Sequence, residues 1–265
     1  EMLLPHKFPA ILGWDVAGVV EEVGDGVKDL SVGDFVYAFC RRSIVKEGTF
    51  AEYVAFDAKN VAHKPSNLTM AQSASLPLVA LTAWQALFDF ADIKQGDDVL
   101  IHAGAGGVGS IAIQLAKHAK ARVITTASLK NFDYVKELGA DDIIDYNTQD
   151  FVQVTKELCP DGVDMVFDCV GGKTFHRSLD IVKKGGSLVT ICNAVDETYG
   201  ADRGVRSGFV FVTPNGEQLA EIAKLVEEGA LVPPNLVEYP FHEAPLALEK
   251  NREGHTKGKI ILNLS

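Results

Sequence analysis

The amino-acid sequence predicts an α/β protein in which a parallel, doubly wound sheet is joined to a second, antiparallel β-domain. Three observations predict it. Between residues 98 and 212, apolar runs of strand length alternate with segments of helical periodicity, the pattern of a parallel sheet with right-handed crossovers. Several of these runs are apolar throughout, as strands covered by helices on both faces must be. Ahead of them, from residue 11 to about 68, short runs rich in Val, Phe and Tyr are separated by Gly and Asp, which suits antiparallel strands joined by turns.

In the first region the runs are 16–20, 33–38 and 49–54, with Gly24-Asp25-Gly26 as a turn. Pro65-Ser66-Asn67-Leu68 closes it, and Thr69 or Asn67 can cap a helix expected over 71–90. Strands of the parallel sheet are expected at 98–103, 122–128, 142–146, 164–170, 186–192 and 208–212. A helix over 109–120 joins the first two, with Ala112 and Ala119 permitting close packing on the sheet. A helical segment at 217–228 precedes two β-like runs, 236–241 and 259–264, expected to rejoin the first β-domain. The expected domains are thus 1–76 with 232–265, and 77–231.

The chain has 265 residues, with 25 Lys and Arg against 36 Asp and Glu, for a net charge of −11. With no long basic run, a nucleic-acid partner is not expected. No apolar stretch approaches membrane-spanning length, and Glu1-Met2-Leu3-Leu4-Pro5-His6 lacks the basic start and apolar middle of a secretion signal. Cys40, Cys159, Cys169 and Cys192 show no C-x-x-C spacing. They read as reduced, mostly structural thiols of a cytoplasmic protein.

The chemistry is carried by the run 99–109, an apolar strand followed by Gly104-x-Gly106-x-x-Gly109 and a helix. In a dinucleotide-binding fold these glycines permit a tight turn, close approach of backbone to pyrophosphate and close helix packing, while the helix N-terminus attracts the anion. Gly104, Ala105, Gly106, Gly107, Val108 and Gly109 are the expected contacts. An NAD-binding site places a carboxylate about 20 residues beyond the glycines, to hold the ribose 2′-hydroxyl. Here that place reads Ser128-Leu129-Lys130-Asn131, with no carboxylate. Ser128, Lys130 and Asn131, with Tyr146 at the end of the third strand, are expected to favour the 2′-phosphate of NADP.

Gly13-Trp14-Asp15-Val16-Ala17-Gly18, Val32-Gly33-Asp34-Phe35-Val36, Phe50-Ala51-Glu52-Tyr53, Leu81-Thr82-Ala83-Trp84-Gln85-Ala86, 102–109 and Phe167-Asp168-Cys169-Val170-Gly171-Gly172 together resemble the medium-chain dehydrogenase/reductase superfamily. The likeness is greatest to its zinc-independent NADPH:quinone oxidoreductase branch. It implies a GroES-like β-domain, a Rossmann domain, a cleft between them, and reduction of quinones, enones or enals by direct hydride transfer. Zinc-dependent members carry Gly-His-Glu where this sequence has Gly13-Trp14-Asp15, and a ligand cysteine near Leu78, so no metal site is expected. Members usually have further β-strands before the Leu-Gly-x-Asp motif, with part of the substrate site; this sequence starts almost at the motif, so an N-terminally truncated β-domain is expected.

The resemblance also implies that Thr82 and Trp84 line the cofactor cleft. Cys169, Val170, Gly171 and Asn193 would stand at the carboxyl edge of the sheet, and Phe209 and Phe211 in the strand whose backbone holds the nicotinamide amide. Lys257-Gly258-Lys259 resembles the start of the closing strand. Tyr199, in the loop 196–208, is the candidate proton donor to a developing enolate oxygen, with surface packing as the alternative. The apolar strand 208–212, ending the sheet, is expected to pair with its twin in a homodimer. Two other functions stay open: an alcohol dehydrogenase of the same superfamily, and a non-enzymatic NADPH-binding sensor or structural protein.

Overall fold

The computed structural model describes residues 4–196, 198–254 and 258–264. The chain divides into two compact units, Glu1–Leu81 with Thr213–Ser265, and Thr82–Val212.

The first unit opens with strands β1 (Asp15–Val19) and β2 (Phe35–Phe39), paired antiparallel, and β3 (Val61–His63) antiparallel to β2. Gly33 reverses the chain at φ +95° and donates its N–H to Val20 at 2.8 Å, a conformation glycine reaches without a Cβ penalty. The strand expected at 49–54 is absent, and the third strand lies instead at Val61–His63. Its backbone hydrogen bonds go elsewhere: the amides of Thr49 and Phe50 donate to Gly13 and Leu12, at 3.0 and 2.8 Å, in the loop before β1.

Thr69 caps helix α1 (Met70–Ala74) in a reciprocal capping box with Gln72. The single helix expected over 71–90 is interrupted. Pro77 opens a second helix, α2 (Pro77–Trp84), because it lacks an N–H and crowds the preceding turn; residues Gln85–Phe90 then widen into a π-helical turn.

The second unit follows as β4 (Asp98–Ile101), α3 (Gly107–His118), β5 (Arg122–Ala127), α4 (Phe132–Glu137), β6 (Asp142–Asp145), α5 (Phe151–Leu158), β7 (Val163–Asp168), α6 (Gly172–Ser178), β8 (Val182–Thr190) and β9 (Arg206–Phe209). All six strands are parallel, in the order β6-β5-β4-β7-β8-β9. This is the doubly wound Rossmann sheet anticipated from the alternating pattern, with its switch point between β4 and β7. Leu100, Ile124, Ile144, Val166 and Leu188, one from each of five strands, are buried against Phe151, Phe175 and Ile181.

The chain returns to the first unit as α7 (Gly216–Glu227), β10 (Leu236–Pro240), α8 (Ala244–Arg252) and β11 (Lys259–Asn263). The boundary expected at 231/232 places α7 in the nucleotide domain, whereas the structure puts it in the first unit. In the structure Tyr37 Oη donates to the Leu219 carbonyl at 2.6 Å, and Glu227 accepts from the amide and hydroxyl of Ser66 at 2.8 and 2.7 Å. Asn67, one of two expected helix caps, donates instead to Val226 at 3.1 Å. β10 and β11 pair parallel with each other, in a two-stranded sheet separate from β1–β3. Lys257 lies outside the described residues.

Candidate active site

The turn between β4 and α3 is built as its glycines require. A Cβ on Gly104 would collide with Thr125 Oγ1, and one on Gly109 with the carbonyl of Ala103. Gly106 is the N-cap of α3 in extended conformation, and no side chain caps the helix. The first-turn amides of α3 therefore have no intrahelical acceptor, leaving a concentration of N–H groups and positive dipole suited to a pyrophosphate. Ala103 holds φ +57°, the left-handed region, at the turn's start. Its N–H donates to Thr126 Oγ1 at 3.0 Å, while Gly104 N–H donates to the Thr126 carbonyl at 3.0 Å. Thr126 therefore grips the turn from the neighbouring strand.

At the end of β5, Ser128 leads into a single 3-10 turn, Leu129–Asn131. Asn131 Nδ2 donates to Ser128 Oγ at 3.3 Å, and Lys130 is exposed. The pairing of Ala127 with Asp145 sets Ser128 and Tyr146 side by side at the ends of β5 and β6, and Tyr146 is exposed. The nearest β6 carboxylate, Asp145, is buried and turned back to accept from Asn147 and Thr148. The four residues expected to meet a 2′-phosphate thus lie together on one edge, with no free carboxylate in the Ser128–Asn131 turn.

On the other side of the switch point, Asp168 ends β7 fully buried. Both its oxygens accept from Gly171 N–H at 3.0 Å, and Oδ2 accepts from Thr190 Oγ1 at 2.8 Å. This carboxylate shapes the loop 169–171. Gly171, at φ +79°, lies so near Cys192 and Asn193 Nδ2 that a Cβ there would meet both. Cys169, Val170, Gly171 and Asn193 are therefore gathered at one carboxyl edge. Desolvation pushes the Cys192 thiol up to about 11 and Cys169 well above the ordinary thiol range, so neither is a ready nucleophile at neutral pH. All four cysteines are free thiols.

Tyr199 packs at 5.1 Å on Phe175, and its hydroxyl lies 2.9 Å from His176 Nδ1 on α6. Desolvation raises its pKa. The strand expected at 208–212 lies instead at Arg206–Phe209, so Phe209 ends β9 while Phe211 falls beyond it, the two rings stacked at 6.0 Å; Thr82 is buried in α2.

In the first unit, Trp14, Phe50, Leu78 and Leu248 line a cavity of about 320 Å³. Asp15, one of its polar residues, accepts from Leu78 N–H through Oδ1 at 2.7 Å while Oδ2 pairs with Lys259 Nζ at 3.1 Å. Among the described residues no group of three or more His, Cys, Asp or Glu is placed to hold a metal ion. Sequence reasoning missed Thr126, Asp168 and the Asp15–Lys259 pair. The only signal for the first two was a polar side chain within or ending an apolar strand.

A six-stranded parallel sheet whose first strand turns through glycines into an uncapped helix defines a dinucleotide-binding protein of the doubly wound class. Residues 2–66 match the model of the alcohol dehydrogenase GroES-like domain, and residues 138–262 that of the zinc-binding dehydrogenase family. The chain is 36% identical over 98% of its length to the mitochondrial NAD(P)H oxidoreductase RTN4IP1 of Homo sapiens, covering 72% of that protein. It is 37% identical over 96% of its length to the chloroplastic NADPH-dependent alkenal/one oxidoreductase of Arabidopsis thaliana, covering 64% of it. The quinone oxidoreductase structure from Coxiella burnetii superposes with a TM-score of 0.87 at 36% identity, over 97% of this chain and 80% of that one. The chain belongs to the medium-chain dehydrogenase/reductase superfamily of oxidoreductases, in its zinc-independent branch. It spans somewhat under two thirds of the plant reductase.

Proposed function

We propose that this protein is an NADPH-dependent, zinc-independent oxidoreductase that reduces quinones or α,β-unsaturated carbonyls. The cofactor is NADPH. The observation that carries this is the end of β5, where Ser128, Lys130 and Asn131 replace a carboxylate, so that a 2′-phosphate meets donors and a cation rather than a like charge. The uncapped amides of α3 suit the pyrophosphate, and the loop shaped by Asp168 suits the nicotinamide end at the carboxyl edge. When bound, the nicotinamide supplies a hydride.

The substrate class follows from what the chain lacks the means to stabilise. Trp14 and Leu78 have no metal-binding atom, and Asp15 is committed to Lys259 and a backbone amide. Without a Lewis acid, the alkoxide formed from a simple aldehyde is poorly stabilised. Conjugated acceptors spread that charge onto a distant oxygen. The alkenal/one and quinone activities in the names of the relatives agree with this reading. Tyr199 remains our candidate proton donor, through the hydroxyl it now shares with His176.

The proposal extends to a cytoplasmic homodimer. Four free thiols suit a reducing compartment, and β9, which among the described residues pairs only with β8, leaves an edge that a twin strand would cover. Among the described residues no helix is long and apolar enough to cross a membrane. The test of the function is a fluorescence titration with NADPH and NADH: preference for NADPH supports it, and failure to bind either nucleotide overturns it.

A further inference from the structure

We propose that His102 is a positioning residue for NADPH, holding the pyrophosphate-binding turn through Thr126 and tying it to helix α6 through Ser178. The inference rests on the nucleotide-binding reading above and extends it to a residue buried beneath the turn.

His102 follows β4 directly and is only 1% exposed. Its Nδ1 lies 3.2 Å from Thr126 Oγ1 and its Nε2 3.0 Å from Ser178 Oγ. Counting protons assigns a direction to both bonds. Ser178 spends its hydroxyl proton on the Thr174 carbonyl at 2.8 Å, so Ser178 Oγ accepts from His102, which carries its proton on Nε2. Nδ1 is then an acceptor and takes the Thr126 hydroxyl proton. Thr126 Oγ1, having donated, accepts the N–H of Ala103 at 3.0 Å. The relay runs from Ala103 through Thr126, His102 and Ser178 to Thr174, with every donor used. The opposite tautomer would leave the buried Thr126 hydroxyl without this acceptor and would take the Ser178 proton from Thr174.

The relay begins at a strained residue. Ala103 sits at φ +57°, a left-handed conformation that L-residues rarely adopt, and its amide is held by Thr126. The relay ends on α6, which opens immediately after Gly171 in the loop fixed by Asp168. His102 thus links the glycine turn of β4 to the helix that follows the glycine turn of β7. Phe151 meets the imidazole edge to face at 4.7 Å and closes the site to water. Burial keeps the ring neutral, lowering its pKa to about 4 against the opposing pull of Asp168.

The experiment uses the full chain with 15N-labelled histidine. In the cofactor-free protein the His102 resonances should report the Nε2–H tautomer, and saturation with NADPH should shift them. Ser178→Ala, a helix away from the turn, and His102→Leu should each raise the Kd for NADPH about fivefold. At saturating NADPH kcat should stay within about twofold of wild type, a split that loss of stability alone would not produce. His102→Asn, which keeps an acceptor for Thr126, should recover part of the affinity. The Nδ1–H tautomer, or unchanged NADPH affinity in both Ser178→Ala and His102→Leu, overturns the proposal. Absence of NADPH binding by the wild type overturns the functional reading with it. Should neither variant fold, wild-type resonances insensitive to NADPH overturn the positioning role and shifted ones support it.

Discussion

Lys259 Nζ stands 3.1 Å from Asp15 Oδ2, joining the first residue of β11 to the first residue of β1 across 244 positions of sequence. The side chains are only 21% and 15% exposed, and the second carboxylate oxygen takes the Leu78 amide. The carboxylate next to Trp14 therefore works as a clamp within the first unit.

Removing one partner strands the other. Asp15→Asn or Lys259→Met should destabilise the protein by about 2 kcal/mol, below the 3–5 kcal/mol seen for fully buried pairs because some solvent remains. Urea unfolding measures this. A double Asp15→Asn, Lys259→Met protein should lose less than the sum of the single changes. Additive losses would show that the two side chains do not act as a pair.

Nucleotide preference should follow the turn after β5. NADPH should bind at least about tenfold tighter than NADH, equivalent to about 1.4 kcal/mol, and Ser128→Asp should reverse the order. Equal affinities in the wild type would contradict the role given to Ser128, Lys130 and Asn131.

The alternation of strands and helices was legible because two-sided burial demands apolar strands, and the strand–glycine–helix run was legible because its glycines are sterically required. What stayed hidden depends on partners distant in sequence. Nothing near Thr49 shows that its amide bonds to Gly13, so the run 49–54 resembled a strand. Nothing near Gly216 shows that Tyr37 reaches Leu219, so α7 was assigned to the other domain. The break at Pro77 was visible as a proline but was outweighed by the apolar run around it. At the site, the glycine turn was legible from residue types. The His102 relay and the Tyr199–His176 bond were not, because neither spacing nor composition shows which buried polar groups meet.

Burial of His102 has a consequence for acid stability. Its folded pKa, about 4, lies below the ordinary value of 6.5 because desolvation disfavours the charged ring. Between those values the unfolded chain takes up a proton that the native protein refuses, so this contribution is whole above pH 6.5 and is lost as pH falls toward 4. Thermal unfolding from pH 7.5 to 4.5 should show a steeper decline for the wild type than for His102→Gln. Parallel declines would remove His102 as the cause.

Assembly should be dimeric. Light scattering at micromolar concentration is expected to give twice the mass of the chain, and a charged substitution two residues beyond β9, Phe211→Lys, should shift it toward monomer. A wild-type monomer would leave β9 to some other cover.

Trp14 and Leu78 carry no metal-ligating atoms, so dialysis against EDTA is expected to leave activity unchanged. The central claim is tested most directly by following NADPH oxidation with three classes of acceptor: a 1,4-benzoquinone, a short 2-alkenal, and a saturated aldehyde of matching length. The account predicts turnover with the quinone or the alkenal and little or none with the saturated aldehyde. A rate with the saturated aldehyde comparable to that with the conjugated acceptors would contradict it.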